Sequence, residues 1–210
     1  HWSDANLDQN FQILDADDQL RQIKKIIKES SLDESRYPPK EITWFINSQK
    51  DLGLRPDRSK GKKGFEHYLE IYAEYERLCR QNNLVDFGEL LLRFYETLKN
   101  NDPLLKHYQN RFENILVDEF QDTNEIQYQI IKLITGSEGR AFIVGDDDQS
   151  IYRWRGANPD SMPRFRNDFL DPRSIKLEQN YRSTKNILNA ANSIISNNNG
   201  GLEKNLWTDE

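Results

Sequence analysis

Two short apolar runs in the second half of the chain, and a weaker third, each end in a group of polar side chains. The runs, each with the polar group that follows it, are 115–117 before 118–119, 141–144 before 145–149, and 174–177 before 178–182. A segment with helical periodicity, at about 125–134, separates the first two runs. Strands that alternate with helices favour a parallel sheet, which binds ligands beyond the carboxyl ends of its strands. The sequence therefore predicts an α/β fold with its polar site at one edge of the sheet.

The first half of the chain, to about residue 112, has a pattern typical of helices. Apolar residues suit helices in four stretches, at 13–27, 44–46, 65–79 and 87–98. Asp15, Asp17 and Asp18 supply the negative charge that suits a helix start. Pro38 and Pro39 precede the second stretch. In the last two stretches the aromatic residues recur at helical spacing, which favours a place in the core over a binding surface.

Charge gives a divided signal about partners. The net charge of −6 argues against a dedicated nucleic-acid coat, but not against a motor that grips DNA in a local groove. The glycine-rich stretch 52–64 is predicted to be a loop, and five basic residues but one acid lie between Arg55 and Lys63. Such a run suits either a solvated loop or a local contact, and the sequence leaves both open.

The single cysteine, Cys79, excludes an internal disulfide framework and suggests a reducing compartment. No apolar run approaches the ~20 residues that a membrane-spanning helix needs.

Asp118 and Glu119 follow the first apolar run directly. Successive residues on a strand point to opposite faces, so two adjacent acids at a strand end would serve different roles. In nucleotide hydrolysis one carboxylate holds Mg²⁺, and a second group orients the attacking water. The alternative is a strand followed by an acidic turn, and this segment alone does not decide between the two.

The second polar group is a loop in which three consecutive acids, 146–148, are followed by Gln149. These acids repel one another unless a cation or a basic group offsets their charge. Gln149 can both donate and accept hydrogen bonds, which suits contact with a water molecule and a phosphate oxygen.

Aromatic and basic side chains alternate directly after this loop, at Tyr152, Arg153, Trp154 and Arg155. Bases stack on flat rings and phosphates bind cations, so the alternation suits single-stranded nucleic acid. The alternative is that Trp154 lies in the core and the arginines pair with nearby acids.

Tyr181 and Arg182 follow the third apolar run. An arginine supplied across a cleft can stabilise the transition state of phosphoryl transfer. The tripeptide at 181–183 is common by chance, so it carries weight only together with the other segments.

In combination, these segments resemble the motifs of the UvrD/Rep/PcrA-type superfamily 1 DNA helicases, most closely the UvrD (DNA helicase II) type. Residues 115–124 resemble the family's Walker B motif, residues 145–157 its third motif, and residues 177–183 its fourth. Residues 84–91 also resemble the helix that precedes Walker B. The order and separation of the segments agree with the family, and the likeness covers nearly the whole chain.

The resemblance implies a role for each matching residue of the nucleotide site. Glu119 would be the general base, and Gln149 would sense the γ-phosphate. Arg182 would reach the γ-phosphate as an arginine finger, and Tyr181 would lie against the adenine. Asp118 would help to hold Mg²⁺. The implied cofactors are therefore ATP and Mg²⁺.

The resemblance also implies a DNA site and an activity. Tyr152, Trp154 and Arg155 would contact single-stranded DNA, with Trp154 stacked on a base. The implied activity is ATP-driven 3′-to-5′ translocation on single strands with duplex unwinding, in repair and replication. The implied partners are single-stranded DNA, single-strand/duplex junctions and repair proteins. The implied location is the bacterial cytoplasm, at the nucleoid, with no membrane partner.

The family layout implies an incomplete RecA-like parallel sheet of the P-loop NTPase type with an all-helical insertion. Residues 1–83 would form the helical 1B subdomain, residues 84–172 the second part of motor domain 1A, and residues 173–210 the start of domain 2A. ATP would bind between 1A and 2A.

Two features depart from the family pattern. No Gly-x-x-x-x-Gly-Lys-Ser/Thr loop occurs in this sequence, and Arg153 stands where family members often have glycine. We therefore expect the chain to be a piece of a longer helicase and to be inactive in isolation. The alternatives are a non-catalytic DNA- or protein-binding module of a degenerate helicase-like protein, or a piece of a nuclease-helicase.

Overall fold

The computed structural model of the chain describes residues 1–59, 65–158, 160–169, 172–197 and 204–209, without the side chain of Arg155. The α-helices and strands of these parts are, in chain order, β1 (Gln12–Leu14), α1 (Ala16–Glu29), α2 (Pro39–Asp51), α3 (Glu66–Gln81), β2 (Leu84–Asp86), α4 (Phe87–Asn100), α5 (Asp102–Arg111), β3 (Asn114–Val117), α6 (Glu125–Thr135), β4 (Arg140–Ile143), α7 (Ser161–Asp168) and α8 (Lys185–Ile195). Strand β1 pairs with β2 and β3 pairs with β4, in both cases in parallel. The fold is mixed α/β with parallel pairing, as the sequence predicts.

Strand β1 lies where the sequence predicts a helix. Residues 12–14 pair with residues 84–86, and α1 starts only after Asp15. The Asp15 side chain accepts a hydrogen bond from the backbone N–H of Asp18 at 2.8 Å, and a cap of this kind fixes a helix start. The prediction that the helical stripe begins at Ile13 is wrong for its first two residues, because β2 offers them a partner.

The other helical predictions in the first half are confirmed. Helix α2 has Pro39 in its first turn, where the fixed φ of proline suits a helix start. Tyr72 and Tyr75 of α3 are fully buried in a core that α1, α2, α3 and β1 build together. The prediction of a core position is wrong for Phe94, which is 37% exposed, and for Phe87, which is 64% exposed. It opens α4, whose buried Leu92 lies further along the helix.

Seven charged side chains meet near the contacts of α2, α3 and α4, and we call them the buried ion cluster after its buried centre, Lys50, Asp86 and Glu89. Its cations are Lys50, Arg55 and Arg93, and its anions are Glu76, Asp86, Glu89 and Glu96. Arg55 lies 2.5–2.8 Å from three of these carboxylates. The interpretation of the basic stretch as a solvated loop is therefore wrong for Arg55, because the carboxylates draw it inward. Residues 60–64 of that stretch lie outside the described residues.

Strands β3 and β4 confirm the first two apolar runs. Residues 114–117 pair in register with residues 140–143, which places both carboxyl ends at one edge. Helix α6 connects the strands, as predicted. Asn124 caps this helix and forms a reciprocal capping box with Gln127, which satisfies the first free amides of the helix.

The third apolar run does not form a strand. Residues 172–178 have no regular structure, and Ile175 and Leu177 are 77% and 80% exposed. One isolated parallel bridge, between Gln179 and Trp207, is found nearby in the described part of the chain. The prediction of a third strand is wrong because no described strand pairs with this run.

The segment boundaries at 83 and 172 stay predictions. Strand β1 lies before the boundary at 83 and β2 lies after it, and the two strands pair in one sheet.

Among the described residues, no helix combines the length and the apolar character needed to cross a bilayer.

Candidate functional site

The loops after β3 and β4 lie side by side because the ladder of backbone hydrogen bonds continues past both strands. Val144 donates its N–H to the carbonyl of Val117 at 2.8 Å, and Phe120 donates to the carbonyl of Val144 at 2.9 Å. Phe120 is fully buried against Tyr128 and Phe165. Its burial anchors the first loop, so the two strand ends form one polar edge, as the sequence predicts.

Asp118 and Glu119 lie in a turn, because β3 ends at Val117. The premise that they lie on the strand is therefore wrong, while their different roles stay a prediction. The backbone of Glu119 is left-handed, with φ 51° and ψ 41°, and its N–H donates to Asp118 Oδ1 at 2.9 Å. A left-handed residue other than glycine costs about 1–2 kcal/mol, and such residues cluster at functional sites. Both residues are exposed, so their carboxylates can reach a ligand.

Gln121 joins the two loops, and its role was not predicted. Its side chain is buried; Nε2 donates to Glu119 Oε2 at 2.7 Å, and Oε1 accepts from the backbone N–H of Asp146 at 3.0 Å. A Cβ atom at Gly145 would lie 2.6 Å from Gln121 Oε1, so this contact needs a glycine. The glycine directly ahead of the acids was the available sequence signal. Gln121 fixes the direction of the Glu119 carboxylate.

Lys204 offsets the repulsion among the acids of the second loop. Its Nζ pairs with Asp146 and lies 3.1 Å from Asp148 Oδ2. Burial disfavours the charge on Asp146, but hydrogen bonds from Lys204 and Gln149 outweigh it and hold the pKa of this carboxyl below its ordinary value. Gln149 Nε2 donates to Asp146 Oδ2 at 2.7 Å. The crowded acids predicted a basic group, but nothing in the pattern indicated which residue would supply it.

Residues 152–157, which we call the aromatic turn, follow this loop. Trp154 is 65% exposed, which rules out the alternative that it lies in the core. The ring centroids of Tyr152 and Trp154 are 6.3 Å apart, with an interplanar angle of 47°. Gly156 ends the turn with φ 88°, a conformation that favours glycine. Arg153 is exposed, and the side chain of Arg155 lies outside the described parts.

Tyr181 and Arg182 lie on a segment that the end of the chain holds in place. The side chain of Asn180 accepts hydrogen bonds from the backbone of Arg182 and Ser183 at 2.9 and 2.8 Å. Tyr181 is 81% exposed, and its hydroxyl donates to Gln179 Oε1 at 2.7 Å. Within the described residues, no hydrogen bond or ion pair joins Tyr181 or Arg182 to the turn that carries Glu119. The structure therefore does not bring these predicted partners into direct contact.

Asp118 is the carboxylate predicted to hold Mg²⁺. Among the described residues, no group of three or more His, Cys, Asp or Glu side chains could enclose a metal ion. Magnesium is often held by one or two carboxylates together with water and substrate phosphates. A single exposed carboxylate at a strand end fits that kind of site, with most ligands supplied by nucleotide and water.

Two family models cover almost all of the chain. Residues 1–170 match the UvrD/REP helicase N-terminal domain, and residues 175–210 match the UvrD-like helicase C-terminal domain. The chain belongs to the UvrD/REP helicase family. The N-terminal family domain implies a RecA-like fold, and the described structure is mixed α/β with small parallel sheets.

Curated relatives within the family agree with this assignment. The chain is 56% identical over 211 residues to DNA helicase II of Escherichia coli, and this match covers 100% of the chain and 29% of the relative. It is 51% identical to DNA helicase II of Haemophilus influenzae, again over 100% of the chain and 29% of the relative. It is 41% identical to the ATP-dependent DNA helicase PcrA of Bacillus subtilis, over 97% of the chain and 28% of the relative. The chain thus spans less than a third of these relatives.

Proposed function

We propose that this chain is the part of an ATP-dependent DNA helicase that joins ATP hydrolysis to the grip on single-stranded DNA. The observation that carries the proposal is the continuity of the polar edge. Gln121 contacts both Glu119 and the loop at Asp146, and that loop leads within a few residues to the exposed Trp154. A change at the nucleotide side therefore has a short mechanical path to the DNA side.

On the nucleotide side, Glu119 acts as the general base that orients water, supported by its exposure and by the hydrogen bond from Gln121. Asp118 holds Mg²⁺, which supplies neutralisation of phosphate charge when bound. Gln149 contacts the γ-phosphate after leaving Asp146. Arg182 and Tyr181 contact the γ-phosphate and the adenine from the last segment, which requires that segment to move towards Glu119.

On the DNA side, Tyr152, Trp154 and Arg155 contact single strands, with Trp154 as the stacking platform. The proposed motion is 3′-to-5′ along the strand, with unwinding at single-strand/duplex junctions in repair and replication. Residues 1–83, helical apart from β1, form the 1B subdomain, 84–172 the second part of 1A, and 173–210 the start of 2A. The gap between the two family matches, at 171–174, supports the second boundary. A bacterial cytoplasmic location at the nucleoid, with repair proteins as partners, completes the proposal.

The test uses a chimaera in which this chain replaces the matching segment of E. coli DNA helicase II, so that the rest of a helicase is present. Removing a general base costs about 10²–10⁴-fold in rate. We expect Glu119→Gln to reduce DNA-stimulated ATP turnover on that scale while nucleotide binding persists. Glu113→Gln, an exposed acid just ahead of β3, is the matched control. Normal turnover in Glu119→Gln would contradict the assigned role.

A non-catalytic binding module is the second candidate, favoured by the lack of a phosphate-binding loop in this sequence. For the isolated chain we expect no ATPase activity, because phosphoryl transfer depends on electrostatic positioning of the phosphates. Turnover by the isolated chain at the level of an intact helicase would contradict this. A chimaera that folds and binds single-stranded DNA but does not hydrolyse ATP would favour the binding module.

The stacking role of Trp154 has its own test. Losing one stacking platform weakens single-strand binding by about 1–3 kcal/mol, so we expect Trp154→Ala in the chimaera to do so in a fluorescence titration. Trp44 is a matched control because it is 63% exposed, close to the 65% of Trp154. Equal binding by Trp154→Ala and the parent chimaera would remove Trp154 from the DNA site.

A further inference from the structure

Asp51, the last residue of α2, is an acid at a helix C-terminus, a position that disfavours negative charge. A helix C-terminus carries partial negative charge, so a carboxylate there is destabilising. Burial adds to this cost and raises the pKa of Asp51 to about 6, although a hydrogen bond from Asn124 works in the opposite direction. A residue that breaks a local rule in this way points to a tertiary role.

Both carboxylate oxygens of Asp51 face the functional site. Asn124 Nδ2 donates to Oδ1 at 2.8 Å. On the other side, a Cβ atom at Gly156 would lie 3.1 Å from Oδ2, so the carboxylate abuts the end of the aromatic turn. Asp51 therefore contacts the segment that follows the Asp118–Glu119 acids and the segment that carries Trp154.

Asn124 is rigidly held at this junction. Its Oδ1 accepts from the backbone N–H of Gln127 at 3.0 Å, and its own N–H donates to Gln127 Oε1 at 2.9 Å. An antiparallel bridge joins Asn124 to Ala157, and the N–H of Asn158 donates to the carbonyl of Thr123 at 3.0 Å. The amide of Asn124 is thus left to bind Asp51 while the backbone around it holds the aromatic turn.

We propose that Asp51 is a positioning residue that clamps the aromatic turn against the segment at 123–124. The helical part of the chain then sets the position of the DNA-binding side chains relative to the catalytic acids. The effect on DNA rests on the proposed function of Trp154, whereas the clamp itself is a property of the chain alone.

The clamp is tested first on the 210-residue chain by hydrogen exchange. Asp51→Ala is expected to speed exchange in the peptide covering 152–158 at least tenfold and to leave α3 unchanged. The unfolding midpoint stays the same, because the lost hydrogen bond is offset by removal of a buried acid from a helix end. Asp51→Asn, which keeps an acceptor, retains slow exchange. Unchanged exchange in Asp51→Ala, or a rise spread equally over α3, would overturn the clamp.

A reciprocal exchange of the two side chains separates the contact from general disruption. Asn124→Asp keeps an acceptor for the capping box but sets two carboxylates against each other, so exchange at 152–158 rises. Adding Asp51→Asn to this variant restores a donor–acceptor pair in the opposite direction, and slow exchange returns. Failure of the double variant to recover would show that the Asp51–Asn124 contact does not hold the turn.

The link to DNA is tested in the chimaera. Asp51→Ala is expected to raise about tenfold the concentration of single-stranded DNA that gives half-maximal ATPase stimulation, and Asp51→Asn to restore it. Trp154→Ala is measured in parallel. If Trp154→Ala alone weakens stimulation, the clamp does not act on DNA binding. If Trp154→Ala has no effect, the proposed DNA site itself fails, while the exchange results still decide the clamp.

Discussion

Lys50 gives the sharpest test of how the first half of the chain is held together. Its side chain is 1% exposed, and its Nζ lies 2.7 Å from Asp86 Oδ2 and 3.0 Å from Glu89 Oε2. Burial disfavours the ammonium charge, but the two carboxylates outweigh it and raise the pKa of Lys50. The residue is therefore a buried cation whose stability depends on its partners.

The expected cost of Lys50→Met follows from what each carboxylate keeps. Methionine retains most of the apolar stem, so the loss is chiefly electrostatic. Glu89 still has Arg55 and Arg93, at 2.8 and 2.6 Å, whereas Asp86 keeps no cation of the buried ion cluster. Breaking a buried ion pair by removing one partner costs about 3–5 kcal/mol. Since Glu89 remains compensated, we expect about 3 kcal/mol, the lower end of that range.

Urea unfolding of the chain measures this loss. Asp86→Asn in the Lys50→Met background removes the orphaned charge and is expected to recover about half of the stability, since an amide oxygen can still cap α4. Lys25→Met is the control, because Lys25 is exposed and its pair with Glu29, at 3.8 Å, belongs to a class worth about 0–1 kcal/mol. If Lys50→Met costs no more than Lys25→Met, the cluster is not a stabilising element.

Three further predictions concern pH and the polar edge. Burial raises the pKa of Glu89, but Lys50 and the neighbouring arginines outweigh it and hold the pKa at about 2, against an ordinary 4.5. The stability that the Glu89 carboxylate contributes is complete above pH 4.5 and is lost as pH falls towards 2. Glu89→Gln is therefore expected to flatten the dependence of unfolding free energy on pH in this range. An unchanged dependence would contradict the lowered pKa of Glu89. Gln121→Leu removes the hydrogen bonds to the exposed Glu119 carboxylate and to the part-buried backbone N–H of Asp146, each worth about 0.5–1.5 kcal/mol. The Glu119 carboxylate then loses its fixed direction, so we expect at least a tenfold fall in ATPase turnover of the chimaera. Gly145→Ala has the same effect by displacing Gln121, and normal turnover in both variants would show that Gln121 does not hold Glu119. Lys204→Met raises the pKa of Asp146, which carboxyl NMR titration measures; an unmoved titration would show that the pair is not formed in solution.

The elements predicted from the sequence are those whose pattern is local. Helices α2, α3 and α6 carry their own caps, prolines or apolar faces, and β3 and β4 are each built on three consecutive apolar residues, 115–117 and 141–143. Strand β1 was missed because Ile13 and Leu14 merge with the stripe of α1, while their partners, Val85 and Asp86, each lie 72 positions further along. A pattern within one window cannot reveal a partner outside it.

The third apolar run was wrongly predicted to be a strand, again because its local pattern does not show whether a pairing partner exists. An apolar run forms a strand only when another strand satisfies its backbone groups. Residues 174–177 have the composition but no described partner, and Leu177 stays 80% exposed. Composition therefore overestimated the sheet in the described structure.

In the candidate site, too, residues in local motifs were predicted and residues that act through distant contacts were not. The exposed residues that would meet nucleotide and DNA, such as Glu119 and Trp154, stand in short motifs and were predicted. The residues that hold them, namely Gln121, Lys204 and Asp51, act through contacts between separate segments. Nothing in the local sequence around Asp51 or Lys204 indicates those partners.

The turn at Glu119 explains why the holding residues matter for chemistry. Its left-handed backbone costs about 1–2 kcal/mol, and the exposed Glu119 side chain contributes little burial to offset it. The offset comes from its two neighbours, the fully buried Phe120 and the 4% exposed Gln121. A fully buried aromatic side chain is worth about 1.5–3 kcal/mol, enough to balance the strain. The position of the proposed base is therefore determined by Phe120 and Gln121, which is why their substitution should impair hydrolysis although Asp118 and Glu119 themselves are unchanged.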